Sequence, residues 1–239
     1  MFEGYIGIRL SSGQLVEDVL FTVLCILFFL FALYARLHVK SFLKMFRCVG
    51  TLGKTGANTE MSTYYNKAFN GFMTFQALLL CGIALFLGAN HEGLLHNLNE
   101  TKLAISIISS FLLIFIYYLL RRMVYSLLIF TFADEAYYKQ WKLNYNAIIG
   151  IWGITLYLPV IGQTFVGNCY HLVVYLFVFL YILCRFAIIY KSLRLFYTKK
   201  FDLFYLSLYL CAHEILPVFI MYKGFIYLYN FIEKSALWH

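Results

Sequence analysis

Charged residues are scarce in this sequence, at 13% of its 239 residues, whereas hydrophobic residues make up 63% and aromatic residues 21%. A soluble domain carries about 25% charged residues, so the composition excludes an ordinary water-soluble fold. Proline occurs only twice and glycine fifteen times, which leaves little room for linkers. The chain is therefore expected to form a single transmembrane domain over residues 1–239.

The sequence also lacks the motifs that most often mark a catalytic or metal site. It contains no H-E-x-x-H, no G-x-S-x-G and no phosphate-binding loop, so an intramembrane protease or a nucleotide-driven pump has no support. None of the six cysteines forms a C-x-x-C pair, and most lie in apolar runs, which is typical of buried thiols. We therefore expect no enzyme activity, no cofactor, no metal site and no disulfide framework.

Six apolar runs are long enough to cross a bilayer, whose ~30 Å core needs about 20 helical residues. They are unbroken rather than alternating, which excludes the strand pattern of a membrane barrel. The runs cover residues 19–35, 68–90, 103–120, 147–166, 172–190 and 203–222. The predicted fold class is an all-α polytopic transmembrane helical bundle of about six spans, with one or two additional interfacial amphipathic helices.

The net charge of +8 arises from cations at the ends of the spans, which is a topology signal rather than a nucleic-acid surface. If the segment after the first span is cytoplasmic, fourteen of the nineteen Lys and Arg residues lie in inner connections and four lie outside. The inner residues are Arg36, Lys40, Lys44, Arg47, Lys54, Lys67, Arg121, Arg122, Lys139, Lys142, Lys191, Arg194, Lys199 and Lys200. The positive-inside rule then predicts a periplasmic N-terminus.

The first inner connection carries one helical stripe of cations, spaced by four, four and three residues. The stripe consists of Arg36, Lys40, Lys44 and Arg47. A helix with this pattern is expected to lie in the headgroup layer, with its cations near anionic lipid. Two interpretations stay open: the segment recognises a lipid, or it only anchors the chain.

The predicted sixth span contains the most informative polar residues, His213 and Glu214, followed by Pro217. Glu214 lies ~18 Å of helix from Asp202, near mid-membrane. Pro217 cannot donate to the carbonyl of His213, so a free carbonyl, an imidazole and a carboxyl are expected within one turn. Such groups usually face a bundle interior or a wet cavity. They indicate either a proton-responsive or partner-binding site, or a structural carboxyl that is hydrogen-bonded to neighbouring helices.

Two other features leave alternatives open. Arg185 is the only cation inside a predicted span; its side chain either snorkels to the inner interface, near Lys191, or pairs with Glu214. Segment 123–132 is apolar although it follows two arginines, and it is either a helix packed under the bundle or a re-entrant piece. In the fourth span, Pro159 predicts a kink.

The closing segment, LYLCAHEILPVFIMYK at 208–223, resembles the last helix of an uncharacterised Bacteroidetes family of polytopic inner-membrane proteins, a domain of unknown function. The shared positions are Cys211, Ala212, Glu214, Pro217, Tyr222 and Lys223, whereas His213 replaces an aliphatic residue. The fourth span, with Asn146, Gly150 and Pro159, is also similar. The resemblance implies a bacterial inner membrane and no established activity.

The expected function is that of a non-catalytic membrane subunit or assembly factor of a bacterial cell-envelope complex, in a secretion, gliding or lipid and cell-wall export setting. The expected partners are membrane lipids and other membrane proteins in a hetero-complex, and not nucleic acid. The alternative is a small proton-coupled transporter or lipid flippase that uses Glu214. A transporter should carry polar residues deep in several helices, and the sequence shows them clearly only in the sixth span.

Overall fold

The computed structural model describes residues 14–50, 67–91, 100–132, 135–165 and 170–196, together with 219, 222–224, 226 and 227. The elements of these segments are helices: α1 (Gln14–Leu37), α2 (Val39–Gly50), α3 (Lys67–His91), α4 (Glu100–Phe132), α5 (Glu135–Thr155), α6 (Tyr157–Phe165) and α7 (Tyr170–Phe196). The predicted all-α bundle is confirmed, with five stretches long and apolar enough to cross a membrane. Most of the predicted sixth span, 203–222, lies outside the described residues.

The bundle is arranged around α3, which is the most buried of the five candidate spans. Helices α4, α5 and α6 pack against α3, and α7 packs against α5 and α6. Leu80, Ile83 and Phe86 of α3 are almost completely buried. The peripheral helices leave large apolar side chains exposed, such as Phe29 of α1 and Phe186 of α7. An apolar surface of this extent is typical of a protein whose outer face meets lipid.

Two contacts of α3 with other helices depend on glycine, because atoms of the neighbouring helix lie very close to the position that a Cβ atom would occupy. A Cβ added at Gly153 of α5 would lie 2.8 Å from the Cβ of Ala77 in α3. A Cβ added at Gly82 of α3 would lie 3.1 Å from the Cα of Phe111 in α4. Small residues allow membrane helices to approach closely, so these glycines fix the spacing of α3 to α5 and to α4.

Gly153→Ala is therefore expected to push α5 away from α3 and to lower the stability of the folded protein by about 1–3 kcal/mol, the usual cost of overpacking. Gly71→Ala is the matched control, because Gly71 is an exposed position of α3 with nothing within 4 Å of an added Cβ. Thermal unfolding of both purified variants in detergent checks this prediction. Equal melting temperatures would show that the α3–α5 contact tolerates a methyl group.

The predicted amphipathic segment forms α2, but one of its faces is packed against protein. Met45 is 5% exposed, and its Sδ would lie 2.6 Å from a Cβ added at Gly150 of α5. Lys40 and Arg47 are exposed and Lys44 is half-buried. Arg36 belongs to the last turn of α1, so the predicted stripe of four cations is shared between two helices. The segment is anchored by α5 as well as by any contact with lipid.

The segment 123–132 is neither a separate helix nor a re-entrant piece, because α4 continues without a break from Glu100 to Phe132. At 1.5 Å per residue this helix is ~50 Å long. Arg121 and Arg122 therefore lie within a helix rather than in an inner connection, which corrects the assignment made from the sequence. The physical reason is that Arg121 is only 1% exposed, so its guanidinium is held by protein and does not end the span.

The fourth candidate span, Trp141–Phe165, is divided at Leu156 into α5 and α6. Backbone hydrogen bonds nevertheless cross the division, from Leu156 N to Trp152 O (3.0 Å) and from Val160 N to Leu156 O (3.1 Å). Pro159 cannot donate to the carbonyl of Thr155, where α5 ends. The break one turn before Pro159 agrees with the kink that the sequence predicts.

Candidate functional site

A buried arginine on α4 forms the centre of a hydrogen-bonded group within the described bundle. Arg121 is the largest of the fully buried side chains, at 1% exposed. Its Nη1 donates to the hydroxyl of Tyr117, one turn earlier on α4, and to the hydroxyl of Tyr181 on α7 at 3.2 Å. The two tyrosine hydroxyls are 2.8 Å apart. A hydrogen-bonded group therefore joins α4 to α7 inside the candidate spans.

A second arginine lies beside this group, on α7. The Cζ of Arg185 is 4.9 Å from the ring centroid of Tyr181, four residues earlier on the same helix, which is within the range of a cation–π contact. The Nε and Nη1 atoms of Arg185 are buried. The guanidinium of Arg185 therefore extends toward Tyr181 within the bundle. Arg121, Arg185, Tyr117 and Tyr181 are called the arginine–tyrosine cluster below.

The arginine–tyrosine cluster borders a cavity of about 120 Å³, which is large enough for several water molecules. Four helices supply its walls. Besides the cluster, the lining residues are Leu78, Cys81 and Leu85 of α3, Ile114 and Tyr118 of α4, Ile149 and Trp152 of α5, and Phe177 and Val178 of α7. Polar groups therefore occupy one part of a cavity whose remaining walls are mostly apolar and aromatic.

The surface of the cavity is almost entirely apolar, although two charged side chains border it. Its described lining residues include two arginines and no aspartate or glutamate. Charged groups are costly at membrane depth, and they usually face a partner or a water-filled space. Two like charges beside one cavity raise that cost further, since their mutual repulsion is poorly screened where water is scarce. The tyrosine hydroxyls and the ring of Tyr181 offset part of this cost, because they contact the two guanidinium groups directly.

The structure brings together only part of the site that the sequence predicts. Arg185 lines the cavity. His213, Glu214 and Pro217 lie outside the described residues, so the Glu214–Arg185 pair stays a prediction. The four cations assigned to the lipid interface are on α1 and α2 and do not line the cavity.

Three members of the arginine–tyrosine cluster were not predicted from the sequence: Arg121, Tyr117 and Tyr181. A signal was present, because Tyr117–Arg121 and Tyr181–Arg185 are both Tyr-x-x-x-Arg pairs. Residues four apart face the same side of a helix, so each arginine can be solvated by a tyrosine of its own span. The same spacing also occurs at Tyr118–Arg122 of α4, so the pattern indicates arginines that a tyrosine of their own helix can solvate, but it does not by itself select Arg121.

The cysteines near the cluster are free thiols. Cys81 lines the cavity and Cys184 precedes Arg185 on α7, and both are buried. Among the described residues, no group of three or more His, Cys, Asp and Glu side chains is placed to hold a metal ion. The described chemistry of the site is therefore that of guanidinium and phenol groups.

Comparisons with known proteins add a family but no characterised relative. No curated protein and no solved structure matches the chain. The family described as a domain of unknown function (DUF4271) matches residues 20–225, a range that contains the whole arginine–tyrosine cluster and also Glu214. Because the match covers most of the sequence, the chain belongs to the DUF4271 family.

Proposed function

We propose that this protein is a small transporter or lipid flippase of a bacterial inner membrane, with the arginine–tyrosine cluster as its cargo site. The observation that carries the proposal is the convergence of Arg121 and Tyr117 of α4 with Arg185 and Tyr181 of α7 on one internal cavity. A transporter needs polar residues deep in several helices. Two of the five candidate spans supply them here, in addition to the predicted sixth span.

The two arginines lie at similar depths in their spans. Arg121 is six residues from the end of its candidate span at Leu127, and Arg185 is seven residues from the end of its span at Ser192. These separations correspond to ~9 Å and ~10 Å of helix. In a bilayer core of ~30 Å both guanidiniums would lie well inside the hydrocarbon region. Their common depth supports a single binding site rather than two interfacial anchors.

The proposed role of Glu214 extends the prediction made from the sequence, in which its carboxyl pairs with the guanidinium of Arg185. A carboxyl group paired with Arg185 would give the site a proton-coupled cycle. When Glu214 is ionised, it would pair with the guanidiniums and compete with an anionic cargo. When Glu214 is protonated, its attraction for the guanidiniums falls and the cargo can replace it. The cycle needs no covalent chemistry, in keeping with the proposal that the protein is not an enzyme.

The second candidate is a non-catalytic subunit or assembly factor of a bacterial cell-envelope complex for secretion, gliding or lipid and cell-wall export. The observation in its favour is the large aromatic surface of the peripheral helices, including Phe21 and Phe29 of α1 and Tyr175 and Phe186 of α7. Rings of this kind suit contacts with other membrane proteins as well as with lipid. The bacterial setting and a Bacteroidetes origin rest on the resemblance of segment 208–223.

Purification in a mild, uncharged detergent separates the two candidates. We expect a tagged full-length protein to elute as a single species without a stoichiometric protein partner, because the cargo site is built within one chain. The measurement is size-exclusion chromatography with mass spectrometry of the eluted peak. A second protein present in equal amount, and lost only on denaturation, would favour the envelope-complex subunit instead.

The proposed topology places the N-terminus in the periplasm, so Cys169 should face the periplasm and Cys48 the cytoplasm. An impermeant thiol reagent added to intact spheroplasts should modify Cys169 before Cys48, with the modified peptides identified by mass spectrometry. Inverted membrane vesicles are the control, and the order of labelling should reverse there. Preferential modification of Cys48 in spheroplasts would invert the proposed orientation.

A further inference from the structure

We propose that the cavity beside the arginine–tyrosine cluster holds the end of a hydrocarbon chain of a membrane lipid. This inference rests on the proposed function and deepens it, because it names the part of a lipid that the protein would hold within the bundle. It depends on three properties of the described cavity: the chemistry of its walls, its size, and the place where it comes close to the outer surface of the bundle.

The walls of the cavity offer a ligand few hydrogen bonds. Arg121 donates to the hydroxyl groups of Tyr117 and Tyr181, and the guanidinium of Arg185 lies against the ring of Tyr181. These polar groups therefore contact one another, and the surface that faces the cavity is almost entirely apolar. A buried water molecule needs several polar partners, whereas apolar cavities stay dry and accept apolar ligands. The walls consequently favour a hydrocarbon over water or a polar ligand.

Aliphatic and aromatic side chains of four helices supply the contacts that a hydrocarbon would make. They include Leu78 of α3, Ile114 of α4, Trp152 of α5 and Phe177 of α7. The ring of Trp152 lies edge-on to the ring of Tyr181, with 6.2 Å between the centroids. A chain that leaves lipid for the cavity gains little from the hydrophobic effect, because lipid is already apolar. Its entry is favoured by dispersion contacts with wall atoms that face empty space when the cavity is unfilled.

The volume of the cavity limits how much of a chain can enter. The cavity measures about 120 Å³, which is somewhat less than the ~150 Å³ of an engineered apolar cavity that binds benzene. It can therefore accept a few carbon atoms of one chain, but neither a whole acyl chain nor a hydrated headgroup. The fitting ligand is the methyl end of a single chain.

Val178 of α7 borders both the cavity and the outer surface of the bundle. It lines the cavity and is also 45% exposed, so a single side chain separates the two spaces there. Val178 is eight residues from the start of its candidate span at Tyr170 and fourteen from its end at Ser192, or ~12 Å and ~21 Å of helix. In a bilayer core of ~30 Å this is the central region, where the methyl ends of lipid chains lie. A chain end can therefore enter the cavity beside Val178.

Quenching of tryptophan fluorescence by brominated lipid tests the inference, because bromine quenches an indole only at close range. Trp152 lines the cavity and is 8% exposed. A full-length variant with Trp141→Phe and Trp238→Phe keeps Trp152 as its single tryptophan. It is reconstituted in phosphatidylcholine bilayers whose chains are unbrominated, brominated near the headgroup, or brominated near the methyl end. We expect bromine near the methyl end to remove most of the fluorescence of Trp152.

The matched control keeps Trp141 instead, through Trp152→Phe and Trp238→Phe. Trp141 is also on α5 and is 4% exposed, but the described lining of the cavity does not include it. Its fluorescence should be nearly unchanged with bromine at either depth, so a difference in depth is not mistaken for a difference in contact. Quenching of Trp152 that does not exceed the quenching of Trp141 would overturn the inference.

A larger side chain at the opening distinguishes a chain inside the cavity from a chain outside it. Val178→Phe should fill the opening and restore most of the Trp152 fluorescence in brominated bilayers. Ile182→Phe is its control, because Ile182 lies one turn later on α7, is 54% exposed, and is not among the described lining residues. Both positions are exposed, so the fold should tolerate either ring. Undiminished quenching in Val178→Phe, or an equal loss of quenching in both variants, would reject the proposed occupant.

Translocation of a fluorescent lipid by the same reconstituted protein is a separate readout. Translocation that is lost in Arg121→Gln, without preferential quenching of Trp152, would reject the hydrocarbon site and leave the proposed transport function standing. Preferential quenching that Val178→Phe relieves, without any translocation, would reject the function and leave the hydrocarbon site in place.

Discussion

Replacing Arg121 with glutamine is expected to abolish complementation of a deletion strain while leaving the protein in the membrane at nearly normal abundance. Glutamine keeps part of the hydrogen bonding to Tyr117 and Tyr181 but removes the charge that attracts an anionic cargo. Loss of a hydrogen bond to a charged group corresponds to roughly 1.5–3 kcal/mol, or roughly 10- to 100-fold in affinity. Growth of the complemented strain and quantitative immunoblotting of its membranes measure the two effects separately.

Arg122→Gln provides the comparison for that result. Arg122 occupies the next position of α4, is half-buried, and donates to Tyr118 at a longer distance of 3.3 Å. It should complement nearly as well as the unmodified chain. Equal loss of complementation in the two variants would mean that positive charge in this part of α4 matters for insertion or topology. Arg121 would then have no special role in a site.

Replacing Glu214 with glutamine should also abolish complementation, for a different reason. Glutamine matches glutamate in shape and hydrogen-bonding capacity but cannot ionise. Hydrogen bonds between membrane helices average ~0.6 kcal/mol in mutational cycles, so the exchange should cost little stability. If proton coupling requires the carboxylate, the folded variant will be inactive. Full complementation by Glu214→Gln would show that Glu214 serves only as a neutral hydrogen-bonding group.

Pro217→Ala is the companion variant to Glu214→Gln. Alanine restores a backbone N–H that can donate to the carbonyl of His213, and it should therefore straighten the predicted sixth span. A partial loss of activity is expected, since the carboxyl at position 214 is retained and only its direction changes. Activity equal to that of the unmodified chain would show that the proline is dispensable for the site.

Hydropathy predicted the five described spans well, because lipid selects for apolar residues along a whole helix rather than at scattered positions. The expected run 68–90 corresponds to α3, Lys67–His91, and the expected run 172–190 lies within α7, Tyr170–Phe196. Pro159 was a reliable sign of a break, since its missing N–H acts within a single turn. These signals are local in sequence, so no knowledge of neighbouring helices was needed to use them.

The arginine–tyrosine cluster was not predicted from the sequence, because its members are stabilised by contacts between helices. Two consecutive arginines ordinarily end a span, and Arg121 does not, because Tyr117 of its own helix and Tyr181 of α7 accept its hydrogen bonds. The same limit applies to α2, whose cation stripe was visible but whose contact between Met45 and Gly150 was not. Such tertiary contacts decide where a helix ends and which side chains are buried. A single sequence does not show directly which residues of different helices are in contact.

Lipid translocation by the purified chain alone tests the proposed transport site most directly. Liposomes would carry a fluorescent anionic phospholipid in both leaflets, and a membrane-impermeant reductant would be added from outside. With the unmodified protein reconstituted, the reductant should bleach the label of both leaflets; with Arg121→Gln or Glu214→Gln it should bleach the outer leaflet alone, as in protein-free liposomes. Bleaching confined to the outer leaflet with the unmodified protein, or of both leaflets with Arg121→Gln, would contradict the assignment of the arginine–tyrosine cluster as the site of lipid translocation.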